Sequence, residues 1–113
     1  MKLKILIICY FLLACSSPKE RIPEGILPEK EMASILKEMH LAEANFELLR
    51  KNKKELAQNT LLSSYQEIYS KYNIDKNEFQ QTIEYYSNYP EKLEGIYSKV
   101  LEGMTKERSM LDQ

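Results

Sequence analysis

Tryptophan is missing from the 113-residue chain, histidine occurs once, glycine three times and proline four times. Each shortage closes off something. A lone histidine supplies neither a ligand set for a metal nor the base, nucleophile and orienting partner that acyl-transfer chemistry needs. The glycines are too few and too scattered to build a phosphate-cradling loop, and no His-Glu-x-x-His, Ser-x-x-Lys or nucleophile elbow occurs. No run alternates β-branched and polar residues, so strands are not supported. The only long apolar run, Ile5 to Ala14, has ten residues, about half of what a spanning helix needs. From this pattern we expect no enzyme, no cofactor and no metal.

That apolar run follows Lys2 and Lys4, which is the shape of a secretory signal. It ends at Leu12-Leu13-Ala14-Cys15, which resembles a bacterial lipobox. The resemblance implies removal of residues 1–14 and diacylglycerol on Cys15, leaving an acylated N-terminus. The alternative is an ordinary signal with an incidental cysteine. The two differ in outcome, since two or more acyl chains hold a protein firmly at a membrane and one does so only marginally. With the signal goes Cys9, so an anchored chain keeps no free thiol, and disulfide, thiolate and cysteine-metal chemistry all fall away. Loss of Lys2 and Lys4 takes 16 cations to 14 against 17 acids, a net charge of −3. A nucleic-acid partner is not expected from such a balance. The densest basic run, Arg50-Lys51-Asn52-Lys53-Lys54, falls where a helix ends and suits the negative end of its dipole.

Residues 15–27 hold Pro18, Pro23 and Gly25 without periodicity and are assigned as the lipidated cysteine and a flexible tether. Residues 16–27, extended at ~3.4 Å each, would reach about 40 Å. The helical domain is placed at 28–113. Met32, Ile35, Leu36, Met39, Ala42, Phe46 and Leu49 form one stripe of helical period. Leu61, Leu62, Tyr65, Ile68, Tyr69 and Tyr72 form a second, with Lys53–Asn59 ambiguous. Asp75 followed by Glu78 is a capping-box pattern, and Ile74 with Phe79 holds the staple positions. The next apolar face is Phe79, Ile83 and Tyr86. Pro90 suits the first turn of a last helix, lined by Leu93, Ile96, Tyr97, Val100, Leu101 and Met104. The expectation is an all-α, small antiparallel four-helix bundle with helices near 28–51, 60–72, 75–88 and 90–108, the first and last clamping two shorter ones.

Among polar residues, His40 and Glu43 share a helix face at i, i+3. They are either a boundary pair or part of a site. The tyrosines of the domain are either core-edge residues with wet hydroxyls or an aromatic surface. Tyr85 and Tyr89 are expected to be the exposed members, because the apolar face runs to Tyr86. The stretches HLAEANF, YNIDKNEF and EYYSNYPEKLEGIYSKV together resemble a family of small Bacteroidota lipoproteins, domain of unknown function 4296. Its helix motif Asp-x-His-x-x-Glu-Ala, its Lys-Tyr/His-Gly-Ile turn and its Tyr-Tyr, Pro and Ile-Tyr elements fall on His40, Glu43, Ala44, Tyr72, Ile74, Phe79, Tyr85, Tyr86, Pro90, Ile96 and Tyr97. Glu38 stands where the motif has aspartate and Asn73 where it has glycine; asparagine also tolerates positive φ. The resemblance covers about residues 28–105 and implies a lipid-anchored envelope protein, with His40, Glu43, Tyr85, Tyr86 and Tyr89 as one polar and aromatic cluster. The expected partners are the membrane through Cys15 and an envelope protein, at the outer membrane because Ser16 is not aspartate. The expected role is a non-enzymatic interaction or accessory module, with a small-ligand or glycan binder as the alternative.

Overall fold

The computed structural model describes residues 21–112; the signal segment and Cys15 lie outside them. Four helices follow one another: α1 Glu29–Leu49, α2 Lys54–Lys71, α3 Lys76–Ser87 and α4 Pro90–Leu111. No strand occurs among the described residues, and none of their helices is long and apolar enough to cross a membrane. The chain is all-α.

The α2–α3 corner is built as its sequence demands. Asn73 takes φ 52°, and two bonds close around it: its own N–H donates to the Ser70 carbonyl at 3.2 Å and the Ile74 N–H to the Tyr69 carbonyl at 3.0 Å. That double bond pattern is a Schellman ending, which needs a left-handed residue at the position Asn73 holds. Asp75 then accepts from the Glu78 N–H at 2.7 Å and starts α3. Ile74 and Phe79 both pack against the core, as a staple requires. Pro90 opens α4 at the first helical position.

The bundle is not uniformly antiparallel. α1 and α2 are, because Tyr65 reaches Glu43 and Tyr72 reaches Glu38. α4 runs parallel to α1: Glu29 pairs with Lys99 and Lys37 with Glu107, both 70 residues apart. The α2–α3 corner changes direction without reversing it. Tyr72 lies beside Glu38 and Tyr86 beside Leu27, so α3 continues the descent that α2 began. α4 then climbs back beside α1. A short turn was expected to reverse the chain, and this one only bends it. α1 is therefore the central element, with α2 and α4 packed along it, rather than one of two outer clamps.

The core comprises Met32, Ala33, Ile35 and Met39 of α1, Ile68 of α2, Tyr86 of α3, and Ile96 and Val100 of α4. Four expectations need correction. α2 starts at Lys54, two turns before residue 60, because fully buried Ala57 carries its first turns onto the bundle while Leu56 points out. On α3 the buried pair is Thr82 and Tyr86; Ile83, one residue round from Thr82, turns to solvent. On α4 Tyr97 and Leu101 leave the stripe, and Leu101 is 66% exposed. The tether, assigned through residue 27, ends earlier, since Leu27 is buried in the core and Ile26 packs against it.

Leu27 is held through its backbone. Its N–H donates to Thr82 Oγ1 at 3.1 Å and its carbonyl accepts from the Tyr86 hydroxyl at 2.7 Å. The Thr82 hydroxyl in turn donates to the Glu78 carbonyl at 2.8 Å. Two α3 side chains one turn apart thus satisfy a peptide that would otherwise be buried without partners. Just ahead of it, the Ile26 N–H closes a turn on the Pro23 carbonyl at 3.3 Å. Gly25 supplies the positive φ of 82° at the third position of that turn, as a type II turn requires.

Candidate functional site

The helix motif of α1 faces α2. Glu38 accepts from the Lys71 ammonium at 2.8 Å and from the Tyr72 hydroxyl. Five residues along α1, the Tyr65 hydroxyl donates to Glu43 at 2.9 Å. His40 Nδ1 lies 3.4 Å from the other oxygen of Glu43, on the same helix. Two tyrosine–glutamate ties therefore close the α1–α2 seam, with His40 at their solvent edge. No group of three or more histidine, cysteine or acidic side chains placed to hold a metal occurs among the described residues.

The seam titrates in a definite direction. Burial first, and then the bond to Glu43, pushes Tyr65 up to about 12. Burial and the bond to Glu38 likewise push Tyr72 up to about 12. Burial alone would raise Glu38, but the bonds from Lys71 and Tyr72 and the nearby lysine charges outweigh it and hold the carboxyl below its ordinary value. A folded state that grips the tyrosine protons more tightly than the unfolded chain is favoured while those protons are on. The contribution of Tyr65 and Tyr72 is thus complete below their ordinary value of 10, shrinks as pH rises towards 12, and is gone above that. Both hydroxyls are partly exposed, so solvent screening keeps the effect modest. Urea midpoints taken at several alkaline pH values should fall across that window. The Tyr65→Phe/Tyr72→Phe double variant should show a shallower fall, and an equal fall in both proteins would refute the assignment.

The second group lies at the other end of α1. Tyr85 stands edge-on to Tyr86, with ring centroids 5.1 Å apart at 75°, and 4.9 Å from Tyr89. The Lys92 ammonium sits 4.8 Å from the Tyr89 ring centre and 5.8 Å from that of Tyr85. Tyr86 is in the core and Tyr89 is 44% exposed. Tyr85 is half-buried rather than exposed, because its ring is wedged between its two neighbours. Beside them a cavity of about 290 Å³ is lined by Ile22, Glu29, Tyr86 and Lys92.

The five residues expected to form one cluster are therefore two groups. Tyr86 lies beside Glu29 at the start of α1, and His40 is 11 residues further on, about 16 Å along the helix axis. Sequence reasoning missed Glu38 and Lys71 as members of the seam and Lys92 as a member of the tyrosine corner. The spacing of Tyr65 and Tyr72, two turns apart on one face of α2, was the available signal for a pair of ties across the seam, to acids five residues apart on α1.

A two-stroke descent, one tied helix seam and one aromatic corner define a small all-α domain whose polar motif is largely spent on joining helices. The chain belongs to the family described as Domain of unknown function (DUF4296), whose model matches residues 23–110. That match starts within the Pro23–Leu27 segment that the fold stitches to α3. Neither a curated protein nor a solved structure matches the chain.

Proposed function

We propose that this protein is a lipid-anchored helical interaction module of the bacterial cell envelope. Diacylglycerol on Cys15 would hold it, at the outer membrane given Ser16, and its tyrosine corner would meet a protein partner. The observation that carries this reading is the corner itself: exposed Tyr89 with its ring tilted against Tyr85, and Lys92 over both rings. Tyrosine is among the residue types that dominate binding hot spots. The corner adjoins Leu27, where the leading segment joins the helices, so a partner there would be met close to the anchor. The polar contacts of α1 join helices, and we assign them no catalytic role.

A second reading, a small-ligand or glycan binder, is favoured by the cavity between Ile22, Glu29, Tyr86 and Lys92. It uses the tyrosines without His40.

One experiment addresses anchor and partner together. A photo-reactive residue at position 89 is introduced into the full-length protein and irradiated in intact cells, with and without Cys15→Ala. The expected result is a reproducible protein adduct and membrane retention, both lost in the Cys15→Ala chain. Unchanged retention after Cys15→Ala would rule out the anchor. The absence of any reproducible adduct from position 89 would rule out the corner as a partner surface.

A further inference from the structure

The outer valley between α1 and α4 carries a pattern that neither helix shows to be significant alone. Four of the chain's 16 cations line one cavity of about 360 Å³ there: Lys30 and Lys37 from α1, Lys99 and Lys106 from α4. In each helix the two lysines are seven residues apart, and an exposed apolar residue follows the second by four, Leu41 on α1 and Met110 on α4. The helices are parallel and offset by 70 residues, so the two patterns lie side by side in register. Lys30 faces Lys99, Lys37 faces Lys106 two turns or about 10.5 Å on, and Leu41 lies level with Met110.

The floor of this valley is shallow in side chains. Ala33 and Gly103 lie between the rungs, and a Cβ on Gly103 would come within 3.1 Å of the Lys37 stem. Lys37 is only 24% exposed and pairs with Glu107, while Lys99 lies 3.7 Å from Glu29. Neither Lys30 nor Lys106 is in an ion pair among the described residues. Glu102 is the single acid lining the cavity. For a chain with more acids than bases, this is a local reversal of charge.

We propose that the valley is a docking groove for an acidic amphipathic helix of a protein partner. Its carboxylates would fall at i and i+7, one to each lysine rung, and an apolar residue at i+11 would cover Leu41 and Met110. A helix repeats over seven residues with the same rise as the two that form the groove, so its acids meet both rungs at once. A flat anionic surface suits the site less well, because Lys37 lies low between the two helices. The groove meets the tyrosine corner end to end: Lys92 of the corner precedes Lys99 by seven residues on the same face of α4, and Glu29, which pairs with Lys99, lines the cavity beside Tyr86. On α4, Lys99 and Lys106 project roughly opposite to Tyr97 and Leu101, by the 100° turn per residue.

The test uses full-length protein in neutral phosphatidylcholine nanodiscs. The probe is a labelled helical peptide with glutamates at i and i+7 and leucine at i+11, and its control carries glutamines instead. Anisotropy should show the glutamate peptide binding at least tenfold more tightly than the control, and weakening as salt screens the charges. Lys30→Glu/Lys106→Glu should lower its affinity at least tenfold with the helical circular dichroism unchanged, while Leu101→Glu on the far side of α4 should leave it alone. Equal binding of the two peptides, or unchanged affinity in the lysine double variant, would overturn the proposal. So would binding of anionic phosphatidylglycerol vesicles in place of the peptide. Because Lys30 and Lys106 are not part of the corner, the peptide can fail while the adduct at position 89 forms, and the reverse.

Discussion

Tyr86→Ala is expected to cost about 3–5 kcal/mol of stability, the range for truncating a buried aromatic ring. The ring is 1% exposed and lies in the core with Leu27, Met32 and Ile96. Its hydroxyl also carries the Leu27 carbonyl. The two contributions can be separated. Tyr86→Phe keeps the ring and removes the donor, leaving a buried carbonyl unpaired at about 1–3 kcal/mol. Small domains hold roughly 5–15 kcal/mol in all, so the alanine variant should lose a large part of its stability. Urea unfolding of the three proteins measures this. A phenylalanine variant as stable as the parent would show that the Leu27 carbonyl finds another partner. An alanine variant that loses less than about 1 kcal/mol would show that the ring is not in the core.

The second large effect is at the centre of α1. Ile35 is fully buried on the helix that packs along both α2 and α4. Ile35→Ala is expected to cost about 2–5 kcal/mol, and Ile35→Val about 0.5–1.5 kcal/mol. A central helix cannot close a cavity by shifting towards one neighbour without leaving the other, so the upper half of the range is expected. Ile83→Ala is the contrast. A single helix outline groups it with the core, but it lies exposed on α3, and its truncation should fall within the ±0.5 kcal/mol usual for surface positions. If Ile35→Ala and Ile83→Ala cost the same, the assignment of which residue faces in would be wrong.

Helix existence was legible wherever chemistry marks an end. Asp75, Glu78 and Pro90 set two starts nearly to the residue, and Asn73 announced a left-handed link. The orientation of the last helix was not legible, because a turn of a few residues can reverse a chain or only bend it, and local sequence does not decide which. Thr82 was missed as a core residue because threonine on a helix face looks like a polar boundary. Its role becomes clear only once Leu27 is seen to need a partner 55 residues away. Ala57 was missed for a related reason, since a small residue signals close approach only when the neighbouring helix is known. On the site, the seam acids were visible but their partners were not. Grouping His40 with the tyrosines of α3 failed because residues on two helices were joined by a shared motif, with no distance to separate them. The lysine rungs show the same limit from the other side: both sevenfold spacings are plain in the sequence, but only a parallel α1–α4 pair makes them one groove.

The clasp on Leu27 has a mechanical meaning. If the chain is held from its N-terminal side, any drag on the domain enters the fold through the segment that runs from Ile22 to this residue. Behind the Ile26 contact, the load falls on two hydrogen bonds to α3, from Thr82 and Tyr86, and on the buried leucine between them. It does not fall on α1, whose first turn begins just beyond. A pull would therefore peel the leading segment off α3 before it unwinds a helix, and would unseat Tyr86 beside the aromatic corner. A pull on the leading segment and the ring packing of Tyr85 against Tyr86 would then be coupled through a single phenol.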